Sequence, residues 1–202
     1  VVKRICWAVD LSVGQARQLT TLYDDLSRIG CHPNLENVLG VVMPTAQIPC
    51  QFITDFCAGG CLFELLHNSD HIELSWTQQV KMCADLAAAM QFIFSCKPAG
   101  IHVQPVTLMT RLVRPILSNK DLPVLKLSMA RSLADKVEGI VPSAHFRHWR
   151  LKEMRHSYFD STPSAPEELE SSEELYDEKV GVFHYAMASF EVICREIPYE
   201  ED

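Results

Sequence analysis

From Glu178 to Arg195 the chain is apolar on nearly every side of a helix, with Val180, Val182, Phe183, Tyr185, Met187, Phe190, Val192 and Ile193 spread around it. Such a helix has no face to give to water. It is expected to be buried all round, with the rest of the fold built about it. It is not a membrane span, because His184 and Glu191 interrupt it and no other apolar run is longer.

The remaining 202-residue chain can supply that burial: 48% of its residues are hydrophobic, which argues against disorder. No basic-then-apolar leader follows the initial Val1-Val2, so no signal peptide is expected. The eight cysteines are scattered, with no CxxC pair and no Cys/His cluster at zinc spacing. They read as buried free thiols of a cytoplasmic, reducing compartment. The net charge of −8 is unevenly placed. Residues 97–156 hold 11 of the 18 Lys and Arg against 4 acids, and residues 157–202 hold 13 of the 26 Asp and Glu. Two solvated faces, or a basic segment that docks phosphate or an acidic partner, are both consistent with this. Spaced arginines without interleaved aromatics do not make a nucleic-acid surface.

Along the chain, β-branched Val1 to Ile5 reads as a strand. Leu19, Leu22, Tyr23, Leu26 and Ile29 share one face of a helix that Gly30 ends. His32-Pro33-Asn34-Leu35 is a turn, and Val38–Met43 and Gln51–Phe56 are strands. A short helix runs from Cys61 to His67 after Gly59-Gly60. Ser75 with Gln78 is a capping box for the helix that ends at Cys96. Its apolar face is expected to be Trp76, Val80, Cys83, Leu86, Ala87, Met90, Ile93 and Phe94. Short strands and turns punctuated by Pro105, Pro115 and Pro123 follow, then a long loop over 131–165 and an acidic run over 167–178. Strands with one helix, then a helical part, without βαβ alternation, argue an α+β chain in two lobes.

The order of these landmarks resembles the protein kinase superfamily, in its tyrosine-kinase-like group. Val1-Val2-Lys3 resembles the strand with the phosphate-pairing lysine, and His32-Pro33-Asn34 the turn after the small lobe's helix. Ile53 to Leu62 resembles gatekeeper, hinge and the Gly-Gly-x-Leu start of the next helix. Ala165-Pro166-Glu167 resembles the Ala-Pro-Glu motif, and Arg195-Glu196-Ile197-Pro198-Tyr199 the end of the buried helix. The Val-Val-Lys strand, Gln79-Val80-Lys81, Asp85-Leu86-Ala87 and Leu127-Ser128-Met129-Ala130 are similar to the integrin-linked kinase type, a pseudokinase. The resemblance implies a partial small lobe over 1–54, a hinge over 55–60 and a partial large lobe over 61–202, with the activation segment at about 131–167. The glycine-rich loop and last helices of the family have no counterpart here, so Glu167 is expected to lack its usual arginine.

The resemblance also implies where the chemistry should be. Lys3, Thr54, Asp55 and Cys57 take the nucleotide-binding positions. Thr21 or Leu22 stands where a glutamate should hold Lys3, with Asp24 and Asp25 nearby but shorter. Gln104 stands in place of the catalytic base in Ile101-His102-Val103-Gln104, and Val103 in place of the arginine. A neutral amide accepts no proton, and a general base is worth about 10² to 10⁴ in rate. Met109 or Pro115 stands in place of the metal-binding asparagine. Met129 or Arg131 stands in place of the Asp-Phe-Gly aspartate, and neither offers Mg²⁺ the oxygen it wants. Gly181 replaces the aspartate that anchors the catalytic loop. The expected protein is therefore a pseudokinase scaffold binding protein partners in a signalling or adhesion complex, with weak or no ATP binding and no magnesium. The alternatives are an active serine/threonine kinase in which Asp24, Asp25 or Asp135 takes over lost roles, and an ATP-binding switch without catalysis.

Overall fold

The computed structural model describes residues 2–8, 11–29, 31–96, 110–129, 165–166 and 178–199, with only the backbone for 2–8, 28, 29 and 178. The first part is a three-stranded antiparallel sheet with one helix. Strand β1 (Val2–Ala8) pairs with the central strand β3 (Pro49–Thr54), which pairs with β2 (Val38–Val42). Helix α1 (Val13–Ile29) begins at a capping box, with the Gln15 N–H on Ser12 Oγ and the Ser12 N–H on Gln15 Oε1. Leu19, Leu22 and Leu26 bury its apolar face, as their spacing predicts.

The second part holds α2 (Leu62–His67), α3 (Trp76–Cys96), the hairpin β4 (Thr110–Leu112) with β5 (Leu125–Leu127), and α4 (Glu178–Cys194). The Ser75–Gln78 capping box forms as expected: the Ser75 N–H donates to Gln78 Oε1 at 2.9 Å and the Gln78 N–H to Ser75 Oγ. One continuous core joins the two parts, running from Leu19 and Phe52 through Leu62, Met82 and Leu86 to Leu127 and Val192. The architecture is the expected α+β one, with strand boundaries moved by one to three residues.

The two helices of the second part correct the sequence reading. On α3 the buried stripe is Gln78, Met82, Asp85, Leu86, Ala89, Met90 and Ile93, while Trp76, Val80 and Ala87 face outward. Two polar residues take the inner face because distant backbone satisfies them. Gln78 Nε2 donates to the Ser118 and Asp121 carbonyls, and Asp85 Oδ2 accepts the Leu125 N–H at 2.9 Å. On α4, Val180, His184, Ala188, Glu191 and Val192 are buried, but Val182 is 57% exposed and Phe190 and Ile193 are 40% and 45% exposed. The helix is therefore not buried all round among the described residues. Glu191 is inside because His67 Nε2 lies 3.1 Å from its Oε2. The loop expected over 131–165 lies outside the described residues except for buried Ala165, and so does the acidic run over 167–177.

The turn expected at His32–Leu35 joins the two parts. Leu35 bridges to Leu127 in parallel, the Glu36 N–H donates to the Leu127 carbonyl at 2.9 Å, and the Leu127 N–H donates to the Asn34 carbonyl at 2.8 Å. Asn34 Nδ2 adds a bond to the Leu125 carbonyl, and the His32 ring stacks on Phe92 of α3 at 4.7 Å. This short segment lies along β5 through a single bridge at Leu35, and these bonds satisfy the backbone where Asn34 and Leu35 are buried.

Candidate functional site: the segment after β3

Thr54, the last residue of β3, is buried, and its hydroxyl donates to Glu36 Oε1 at 2.9 Å, itself buried. Asp55 follows. Its Oδ2 accepts from Asn37 Nδ2 at 2.8 Å, from the Asn37 N–H at 3.2 Å and from Lys126 Nζ at 2.6 Å. Burial alone would raise the Asp55 carboxyl, but the Lys126 and Asn37 hydrogen bonds and the Lys126 charge outweigh it and hold the group below its ordinary value. The Asp55 N–H donates to the Asn37 carbonyl, so this residue is tied to the chain between α1 and β2 at both backbone and side chain.

Residues 57–60 form a turn held against β4. The Gly60 N–H donates to the Cys57 carbonyl, the Ala58 N–H to Val113 and the Gly59 N–H to Leu112, and the Leu112 N–H donates back to Gly60. Each glycine has its own reason. A Cβ on Gly59 would sit 2.5 Å from the Arg114 carbonyl oxygen, a backbone atom that cannot swing away. Gly60 has φ of 78°, which side-chain-bearing residues rarely adopt.

Of the residues expected at a nucleotide site, the structure brings Thr54, Asp55 and Cys57 together on this segment. Lys3 lies opposite Phe52 in the β1–β3 ladder, and its side chain is outside the description. Met129 is buried in the core beyond β5. Gln104 and Arg131 lie outside the described residues, as do His102, Val103, Met109, Asp135 and Glu167. Gly181 lies against α3, where a Cβ would come 2.8 Å from Phe94 Cζ and 2.9 Å from Met90 Cε. Asp24 is exposed on α1. Among the described residues, no group of three His, Cys, Asp or Glu side chains is placed to hold a metal ion.

Three residues that hold the site were not singled out from sequence: Glu36, Asn37 and Lys126. The signal for Glu36 was the lone acid of the stretch from Asn34 to Gly40, between Leu35 and the strand that begins at Val38. Lys126 gave no local signal, because its partner Asp55 is 71 residues away.

This sheet-and-helix part, the strapped segment after it and the helical part behind make a protein-kinase-like domain. Comparison with known proteins agrees with that fold. A family model described as protein tyrosine and serine/threonine kinase matches residues 12–102. The probable serine/threonine-protein kinase drkC of Dictyostelium discoideum is 26% identical over 170 residues, 84% of this chain and 20% of that protein. LIM domain kinase 1 of Drosophila melanogaster is 27% identical over 185 residues, 81% of this chain and 14% of its own. Dual specificity testis-specific protein kinase 1 of Homo sapiens is 28% identical over 171 residues, 85% of this chain and 24% of its own. The chain thus spans less than a quarter of the length of each of these relatives. Among the described residues, no helix is long and apolar enough to cross a membrane.

Proposed function

We propose that this domain is a pseudokinase that works by binding protein partners, as a scaffold of a cytoplasmic signalling or adhesion complex. The observation that carries the reading is Met129. It stands at one of the two positions where the kinase pattern calls for the metal-binding aspartate, and its thioether is buried in the core, 6% exposed. Magnesium takes hard oxygen ligands, which this side chain lacks. The other candidate, Arg131, would bring a positive charge to the cation's place. Gln104 at the base position accepts no proton, and Gly181 offers no carboxylate to anchor the catalytic loop. A lost general base is worth about 10² to 10⁴ in rate and a lost electrostatic group about 10² to 10³, so their joint loss leaves transfer too slow to be the domain's function.

The kinase fold itself implies ATP. Thr54, Asp55 and Cys57 lie on the segment that would meet the base, and Lys3 lies on the strand that would meet the phosphates. On the described side the fit is incomplete, because the Thr54 hydroxyl is engaged by Glu36 and the Asp55 N–H by Asn37. Nucleotide binding that is weak and independent of magnesium is the form consistent with these residues. The similarity of Asp85-Leu86-Ala87 and Leu127 to Ala130 to the integrin-linked kinase type supports the same reading.

The second reading is an active serine/threonine kinase, favoured by the kinases among its relatives. Radiolabelled-ATP transfer by the complete protein separates the two. No transfer above a heat-killed control is expected, and robust transfer that disappears in Lys3→Met would sink the pseudokinase reading. A thermal shift with ATP, with and without Mg²⁺, then tests the nucleotide: a shift that requires Mg²⁺ contradicts the site as read.

A further inference from the structure

Domains of this fold ordinarily open and close about a hinge between their two parts. A hinge turns readily only where few bonds cross it. Here the crossing is densely bonded. The strap of residues 34–37, which precedes β2, lies along β5. The Glu36 N–H donates to the Leu127 carbonyl at 2.9 Å, the Leu127 N–H to Asn34 at 2.8 Å and Asn34 Nδ2 to the Leu125 carbonyl at 2.9 Å. The segment after β3 lies along β4, with the Ala58 and Gly59 N–H groups on the Val113 and Leu112 carbonyls. Asp55 stands between these two attachments in the chain. One of its oxygens, Oδ2, holds the strap through the Asn37 N–H and Nδ2, and holds β5 through Lys126 Nζ. Lys126 in turn lies between Leu125 and Leu127, the two residues that carry the strap. Its side chain is 15% exposed and that of Asp55 23%, so salt and water screen the pair only weakly.

We propose that the Asp55 carboxylate is a clamp against hinge opening, so that the sheet part and the helical part move as one body. Two kinds of motion would open the domain. Swinging the strap away from the segment after β3 breaks both Asn37 bonds to Asp55. Lifting strap and segment together off the hairpin breaks the Lys126 bond. The second motion separates a mostly buried ion pair, which is costly. Hydrogen bonds to an ionised group are also stronger than the neutral backbone bonds beside them. The three parts of the clamp come from three places: Asp55 from the segment after β3, Asn37 from the strap and Lys126 from the hairpin. The consequence for function rests on the scaffold reading. A partner surface that spans both parts keeps one arrangement, whether or not a ligand is bound between them. An ATP-driven switch would need the opposite, two parts free to turn.

The test is native-state hydrogen exchange of the complete protein, read by mass spectrometry and corrected for intrinsic rates. Peptides covering residues 34–38 and 125–128 report opening at the clamp, and one covering residues 82–93 reports the buried stripe of α3. In the wild type the clamp amides are expected to exchange as slowly as those of α3. Clamp amides that are already roughly tenfold faster overturn the proposal, and this arm needs no variant to fold. Lys126→Met is expected to make the clamp amides at least roughly tenfold faster than those of α3 in the same protein. Arg195→Lys, which destabilises away from the clamp, should leave the two sets equal. Equal acceleration of both sets in Lys126→Met would reduce the pair to a contributor to general stability, and the clamp would be wrong. None of these outcomes bears on phosphate transfer, so the pseudokinase reading stands or falls separately.

Discussion

Lys126 on β5 donates to the carboxylate of Asp55 at 2.6 Å, tying the segment after β3 to the hairpin of the helical part. Asp55 is held below its ordinary value: burial opposes this, but the Lys126 and Asn37 hydrogen bonds and the Lys126 charge prevail. A carboxylate depressed on folding contributes stability that is fully present above its unfolded value, near pH 4, and is lost as pH falls through the folded value. Asp55→Asn is therefore expected to cost about 1–2 kcal/mol at pH 7. The gap between variant and wild type should stay constant above about pH 5 and close below about pH 4, as read by urea unfolding at a series of pH values. A gap that does not narrow as pH falls below about 4 would count against the assignment.

Arg195 ends α4 with φ of 58°, a left-handed position where glycine is the usual choice. The sequence keeps arginine because its guanidinium gathers four carbonyls: Leu65 and Leu66 of α2, and Ser69 and Ile72 of the loop beyond, at 2.7 to 3.2 Å. Lysine carries a point charge with no planar fork and cannot reproduce that set. Arg195→Lys is expected to destabilise by about 2–4 kcal/mol, and Arg195→Gly by a similar amount despite its easier backbone. If Arg195→Gly is neutral in thermal unfolding, the carbonyls find water and the fork is dispensable.

Gly181 separates packing from electrostatics on α4. A methyl there meets only the movable ends of Phe94 and Met90, and helix propensity gains about 1 kcal/mol over glycine. Gly181→Ala should thus lie within about 1 kcal/mol of wild type. Gly181→Asp, which restores the residue of the kinase pattern, places a carboxylate against Phe94 and Met90. It is expected to cost about 2–4 kcal/mol more than the alanine variant in chemical denaturation. Equal stabilities would show that the introduced carboxylate finds a partner.

The seven cysteines whose side chains are described stand as thiols, as expected, but not as uniformly buried ones. Cys31, Cys96 and Cys194 are exposed, Cys50 is fully buried, and burial pushes the Cys83 thiol up despite the opposing influence of Ser189. Native iodoacetamide labelling at pH 7.5 followed by mass spectrometry should mark the three exposed residues first, with Cys50 and Cys83 at least roughly tenfold slower. Early labelling of Cys83 would mean that α3 and α4 open readily.

The order of elements and the kinase-like fold were legible in the residues alone. The Ser75–Gln78 box, the leucines of α1, the His32–Leu35 turn and Gly59-Gly60 are each recognisable from a few neighbouring residues, even where, as at Asn34 and Gly59, the partners they meet are distant. Long-range packing chose which faces of α3 and α4 turn inward. Apolar periodicity pointed to Trp76 and Val80, but Gln78, Asp85 and Glu191 went inside because partners 40 to 124 residues away satisfy them. Packing also built the site around Thr54, where Glu36 and Lys126 converge from separate elements. A buried polar group is stable only where a partner meets it, and a partner brought by the fold leaves no trace in the local pattern.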